Sequence, residues 1–200
     1  MLVGADKDNY KKSLGGGVYL FTRSGSTWRE VERIYPDANY LATSDYFGSA
    51  VSVHGDTAMI SAIYDDDKGS SSGGVYVFIQ SGSSWTQVQK LTASDGQATD
   101  TFGASISIYA DTALIDAHRD NEKDRTGIGS TYTDNGSVYI FIQNGLTWTE
   151  LKKDNSNLPF KLHGDAVSYD YFGYGVSLYS DTALIDAFGD DDKGSPSGSV

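Results

Sequence analysis

Polar and apolar positions alternate along short stretches of this chain, and the stretches recur. Ser49–His54 (S-A-V-S-V-H) alternates with a period of two, which predicts a β-strand. Gly55-Asp56 makes a tight turn, and Thr57–Ala62 (T-A-M-I-S-A) returns as a second strand. Asp65–Gly74 (D-D-D-K-G-S-S-S-G-G) is polar and glycine-rich, so it reads as a loop. Gly74–Gln80 (G-V-Y-V-F-I-Q) is a third strand. Ser81–Ser84 turns the chain, and Trp85–Leu91 (W-T-Q-V-Q-K-L) alternates again as a fourth. No segment carries a 3.6-residue apolar period, so almost no helix is expected.

The same order of landmarks returns along the chain. D-x-F-G stands at Asp45–Gly48, Asp100–Gly103 and Asp170–Gly173. Each is followed by D-T-A (Asp56, Asp111, Asp181) and then by an acidic stretch (Asp65, Asp120, Asp190). G-V-Y or G-S-V opens the third strand, and Trp28, Trp85 and Trp148 open the fourth. One supersecondary unit used repeatedly defines a repeat architecture. Four antiparallel strands per unit predict an all-β fold, a β-propeller of four-stranded blades. The expected divisions are a partial blade over 1–46 (strands two to four), a complete blade over 47–101, and a complete blade with loop insertions over 102–171. The stretch 172–200 supplies strands one and two and the start of a third. About three and a third blades make an open arc, because propellers close with about four to eight. The remaining blades are expected in a longer parent chain.

Phe47, Phe102 and Phe172 are expected to fill the gaps between adjacent blades. Gly48, Gly103 and Gly173 then let backbones approach closely or take positive φ.

Composition narrows the function. Among 200 residues, 27 acidic against 15 basic side chains give a net charge of -12, which argues against nucleic-acid binding. The charge suits a cation or a basic partner. Without cysteine there is neither a disulfide nor a thiolate metal site. No apolar run is long enough to span a bilayer as a helix.

F-G, then a strand ending in small residues (Leu2–Ala5, L-V-G-A), then G-V-Y-V-F, with D-T-A, D-D-D and W-T-Q landmarks, resembles the FG-GAP repeat. That repeat builds the β-propeller of integrin α subunits. The resemblance implies a binding or adhesion module outside the cell or at its surface. It also implies a protein or glycan ligand, bound on the face where the acidic loops emerge. Two departures stand out. The hairpins His54-Gly55-Asp56, Tyr109-Ala110-Asp111 and Tyr179-Ser180-Asp181 are too short for the integrin calcium loop, since Ca²⁺ takes about six to eight oxygens. The glycine of the G-A-P segment is kept only at Gly4 and is replaced by Ser61, Asp116 and Asp186. An aspartate in an apolar strand must point to solvent, to the central channel or to a partner.

The candidate ligand-binding residues are therefore Asp120, Glu122 and Asp124 in the longest acidic loop, with Asp116 and Asp186. Asp65 and Asp67, like Asp190 and Asp192, read D-x-D-x-G, a fragment of a calcium loop lacking the terminal bidentate Glu. Ca²⁺ is thus the one cofactor to weigh, against a plain solvated loop. The loop Asp120–Gly136 and the stretch Trp148–Phe172 are both longer than their counterparts, and both are expected to emerge on the acidic face. His54, His118 and His163 are scattered, and Gly69–Gly73 matches G-x-S-x-G with no helix after it, so no enzyme is expected. The alternatives are a structural spacer in a large surface protein and a propeller-type hydrolase. Asn135-Gly136-Ser137 forms a single glycosylation sequon.

Overall fold

In the computed structural model, strands pair in chain order and every pair is antiparallel. Residues 1–37, 43–121, 134–153, 158–163, 169–191 and 197–200 are described, and among them there are four sheets and no helix. The first sheet holds β1 (Leu2–Ala5), β2 (Gly17–Ser24) and β3 (Thr27–Ile34). The second holds β4 (Phe47–His54), β5 (Thr57–Ala62), β6 (Gly74–Ser81) and β7 (Ser84–Leu91). The third holds β8 (Ile106–Tyr109), β9 (Thr112–Ala117), β10 (Ser137–Asn144), β11 (Thr147–Glu150) and β12 (Lys161–Leu162). The fourth is the pair β13 (Phe172–Tyr179) and β14 (Thr182–Ala187). The fold is all-β.

The third sheet departs from the four-stranded expectation. Its fourth strand is split, because both β11 and β12 pair with β10. Glu150 lies opposite Phe141 and Lys161 opposite Tyr139, where the second sheet sets Gln87 opposite Phe78 and Lys90 opposite Tyr76. The extra residues therefore interrupt the strand itself. They leave and return through a narrow excursion closed by Lys153 N to Leu158 O (3.0 Å) and Phe160 N to Leu151 O (2.8 Å). The surplus in Trp148–Phe172 thus lies within the fourth strand rather than in the connection to the next sheet.

Alternation decides which side of each sheet a residue serves. On β6, Tyr76 and Phe78 join Val18, Ile34, Phe47, Ala58 and Ile60 in a core between the first and second sheets. Val75 and Val77 point the other way, into a core with Phe102, Ile115, Tyr139, Phe141 and Trp148 between the second and third. Because β5 and β6 are covered on both sides, all six side chains of β5 are buried. Each large side chain so buried contributes roughly 1.5–3 kcal/mol.

The D-x-F-G segments tie each sheet to the one before it. Phe47 N donates to Gly15 O (3.1 Å), Phe102 N to Ser72 O (2.9 Å) and Phe172 N to Asn135 O (2.9 Å). Gly103 takes φ +95°, and a Cβ there would come 2.7 Å from Val75 Cγ2 and 3.0 Å from Ser61 Cβ in the preceding sheet. Serine hydroxyls join the first strands of successive sheets. Ser52 Oγ accepts from Ile108 N (3.1 Å), and Ser107 Oγ from Leu178 N (2.9 Å).

Candidate functional site

Two sets of chain segments meet at one end of the sheets: the loops after each second strand, and the connections running into each D-x-F-G. Thr99 N and Thr101 N donate to Ser70 O and Ser71 O (2.8 and 3.1 Å), and Tyr64 N donates to Asp45 O (3.2 Å). The acidic stretches lie here.

Their leading carboxylates turn inward and meet a tyrosine and a cation in each of the first three sheets. In the second, Asp65 is buried; its Oδ2 accepts from Tyr76 Oη (2.9 Å) and pairs with Lys90 Nζ (2.5 Å). Lys90 also reaches Asp67 Oδ2 (2.5 Å). In the third, Lys161 Nζ lies between Asp120 Oδ2 (2.6 Å) and Asp95 Oδ2 (2.7 Å), while Tyr139 Oη donates to Asp95 (2.8 Å). In the first, Tyr19 Oη donates to Asp8 (2.7 Å) and the Arg33 guanidinium stands 4.6 Å from the Tyr19 ring centroid. The cation is always the residue opposite the tyrosine in the ladder: Arg33, Lys90 and Lys161.

Chemistry follows from that placement. Burial, then the charges of Asp65 and Asp120, pushes the Tyr76 and Tyr139 phenols far above their ordinary range, so both stay protonated and donate to the carboxylates. Burial alone would lower the Lys90 and Lys161 pKa values, but their carboxylate partners outweigh it and both are raised. The ammonium of Lys90 therefore occupies the space between Asp65 and Asp67 that a bound metal would need. No group of three or more metal-type ligands occurs among the described residues. Arg33 and Lys90 share an offset from their tyrosines, a signal present in the sequence but overlooked there.

Asp100, the aspartate of the second D-x-F-G, accepts the Gln97 amide (2.6 Å). Burial raises its pKa to about 7, and the neighbouring charges of Asp120 and Asp95 add to the shift.

Asp116 is fully buried, so it does not belong to a ligand-binding face. Its Oδ1 accepts the Ser105 amide (2.5 Å), and its Oδ2 lies 2.8 Å from His118 Nδ1. Asp186, half-buried, does the same for the Gly175 amide (2.6 Å), and Ser61 Oγ for the Ala50 amide (2.8 Å). The reason is local. The β4–β5 register slips between Phe47 and Val51, and the β13–β14 register between Phe172 and Val176. The bulge leaves one amide without a ladder partner, and the Ser or Asp oxygen receives it.

Asp120 is likewise buried, whereas Asp67 is exposed. The Asp190 carbonyl accepts the amides of Ser197 (2.9 Å) and Gly198 (2.8 Å). Glu122, Asp124 and Asp192 lie outside the described residues. Asn135 of the sequon is buried, which removes it as a surface acceptor of glycan. His54 is exposed at a hairpin turn beside Tyr109, with ring centroids 5.0 Å apart. Phe47, Gly48, Phe102 and Gly103 are buried; Phe172 is half-buried beside buried Gly173.

The surface at this end is aromatic. Tyr10 (69% exposed), Tyr64 (41%), Tyr169 (56%) and Tyr174 (55%) all stand on it. Tyr64 meets Tyr46 edge-on (4.8 Å), and Tyr174 packs on His118 (5.3 Å) and Phe188 (5.2 Å). Tyrosines were not among the candidates drawn from the sequence, because their exposure depends on which neighbours cover them.

The FG-GAP repeat family matches the chain over residues 28–78, 85–141 and 162–200, which together take in most of it. No curated protein matches. Each matched stretch begins in the fourth strand of one sheet and runs into the following sheet, with D-x-F-G between.

Proposed function

Because the chain belongs to the FG-GAP repeat family, we propose that it forms blades of an integrin α-like β-propeller and serves as a binding module. Its partner is a protein or glycan met outside the cell or at its surface. The contact is made at the end where the acidic loops emerge. The role is adhesion or capture, with no catalysis.

One observation carries this reading. Four tyrosines stand exposed at that end, while the buried carboxylates beneath them, Asp65 and Asp120, are neutralised within the protein. Tyrosine offers large amphipathic contact area at small entropic cost, to peptide and sugar alike. The buried ion pairs act as a rigid floor. The overall charge of -12 then draws partners of opposite sign.

The test is a glycan array and a panel of surface proteins, probed with the chain and with a Tyr64→Ser, Tyr174→Ser variant. The variant is expected to lose about tenfold in affinity for any ligand found, on the scale of one aromatic anchor. A ligand bound equally by both proteins would place recognition elsewhere. Absence of any ligand would favour the spacer.

A further inference from the structure

The third and fourth strands of the first three sheets are joined by the same two-residue hairpin. Ser24 pairs with Thr27, Ser81 with Ser84 and Asn144 with Thr147, which leaves Gly25-Ser26, Gly82-Ser83 and Gly145-Leu146 as the turns. Each glycine has positive φ (+61°, +65° and +64°), as the first residue of such a turn requires. Arg23, Gln80 and Gln143 each donate a side-chain N–H to the glycine carbonyl (2.7, 3.1 and 3.0 Å). One position differs in chemistry. Serine stands before the glycine in the first two turns, and asparagine in the third.

Asn144, Gly145 and Leu146 are all exposed. Among the described residues neither the Asn144 carboxamide nor the Gly145 amide meets a hydrogen-bond partner. A Cβ on Gly145 would meet nothing within 4 Å. The chain holds a second Asn-Gly pair, Asn135-Gly136, set in the opposite surroundings. Asn135 is 2% exposed, and its carbonyl accepts the Phe172 amide (2.9 Å). Gly136 N donates to Asp120 O (3.2 Å), and a Cβ there would fall 2.3 Å from Phe172 O.

We propose that Asn144-Gly145 is a site of spontaneous covalent modification, where asparagine converts to isoaspartate and aspartate while Asn135-Gly136 is spared. The Gly145 amide nitrogen attacks Asn144 Cγ. The new N–Cγ bond closes a five-membered succinimide, and the Cγ–Nδ2 bond breaks. The proton lost from Gly145 N reaches Nδ2 through solvent, and ammonia leaves. Water then opens the ring at either carbonyl. One water is consumed and one ammonia released, with no oxidant or reductant. Glycine permits the attack because no side chain shields its nitrogen. Turning the Asn144–Gly145 peptide breaks the closing pair with Thr147, which a solvent-exposed hairpin tip gives up readily. Turning the Asn135–Gly136 peptide would break the bonds to Phe172 and Asp120 inside a buried joint.

Isoaspartate adds one carbon to the main chain inside a two-residue turn, as well as a negative charge. The strand behind that turn, β11, is only four residues long and sets Trp148 and Glu150 in buried positions. A lengthened turn shifts their register against β10.

The experiment ages the 200-residue chain in warm, mildly alkaline buffer and reads its proteolytic peptides by fragmentation mass spectrometry. Conversion adds about 1 Da. The gain is expected at residue 144, as two isomers separable by chromatography. It should appear at least about tenfold faster there than at residue 135, since a buried segment reacts only through its rare opening. In urea the two sites should convert at similar rates. No conversion at residue 144 of the folded chain, or equal conversion at residue 135, would overturn the proposal. Asn144→Ser, the residue of the other two hairpins, should abolish the gain at that position. Asn144→Asp carries the charge without the extra backbone carbon and should melt with the unmodified protein. The purified isoaspartate form should melt lower, and equal melting of the two would overturn the register argument. The proposal rests on hairpin chemistry and not on the ligand reading above.

Discussion

Asp116 and Ser105 stand opposite each other just beyond the β8–β9 ladder: Asp116 N donates to the Ser105 carbonyl (3.1 Å), and the carboxylate Oδ1 takes the Ser105 amide at 2.5 Å. The aspartate that looked out of place in an apolar strand is the acceptor of a backbone amide at the start of β8.

Asp116→Ala should therefore destabilise the chain by about 1–3 kcal/mol, the cost of a buried amide left unmade. Asp116→Ser should recover part of that loss, since Ser61 fills the same position in the second sheet. Urea unfolding midpoints of the two variants test the order. Equal loss in both would show that the His118 contact, not the amide, is what matters.

Lys90 neutralises Asp65 in a site where both side chains are almost fully covered. Lys90→Met should cost about 3–5 kcal/mol by leaving the carboxylate buried and unpaired. Adding Asp65→Asn should restore much of it. A denaturation double-mutant cycle measures the coupling, and additive losses would refute it.

The pKa of Asp100, raised to about 7, sets a pH dependence with a definite sign. The folded state holds this proton more tightly than the unfolded chain, whose carboxyl titrates near 3.8. The stabilisation is complete below 3.8 and is lost as pH rises through about 7. Asp100→Asn should stabilise the protein at pH 8 and make less difference at pH 5. Melting temperatures of both proteins across that range decide it, and a constant difference would contradict the shift.

Gly103 and Gly82 share positive φ but not surroundings. A Cβ on Gly82 meets nothing within 4 Å, whereas one on Gly103 strikes Val75 at 2.7 Å. Gly82→Ala should cost about 1 kcal/mol from backbone strain alone. Gly103→Ala should cost that plus a further roughly 1–3 kcal/mol of overpacking. Unfolding free energies of the pair provide the comparison.

Thr57–Ala62 and Gly74–Gln80 were legible as strands because local alternation and the turns beside them are sequence properties. The pairing of Asp65 with Lys90 was not, since it depends on the β6–β7 register, which slips between Val77 and Phe78. Register also hid the role of Lys161, which reaches its place opposite Tyr139 only after the excursion from β11. The tryptophans make the same point. Trp28 is 48% exposed and Trp148 is 2%, although each opens a fourth strand after a Thr and two residues before a Glu. What separates them is the adjoining sheet, where the Gln89 side chain bonds both the amide and the carbonyl of Trp148 (2.8 and 2.9 Å).

Each matched repeat begins in one sheet and ends in the next. A gene segment that duplicates such a unit therefore copies a joint together with its two half-walls. Arrays of this kind lengthen or shorten by whole joints, and every new copy arrives already fitted to its neighbours on both sides.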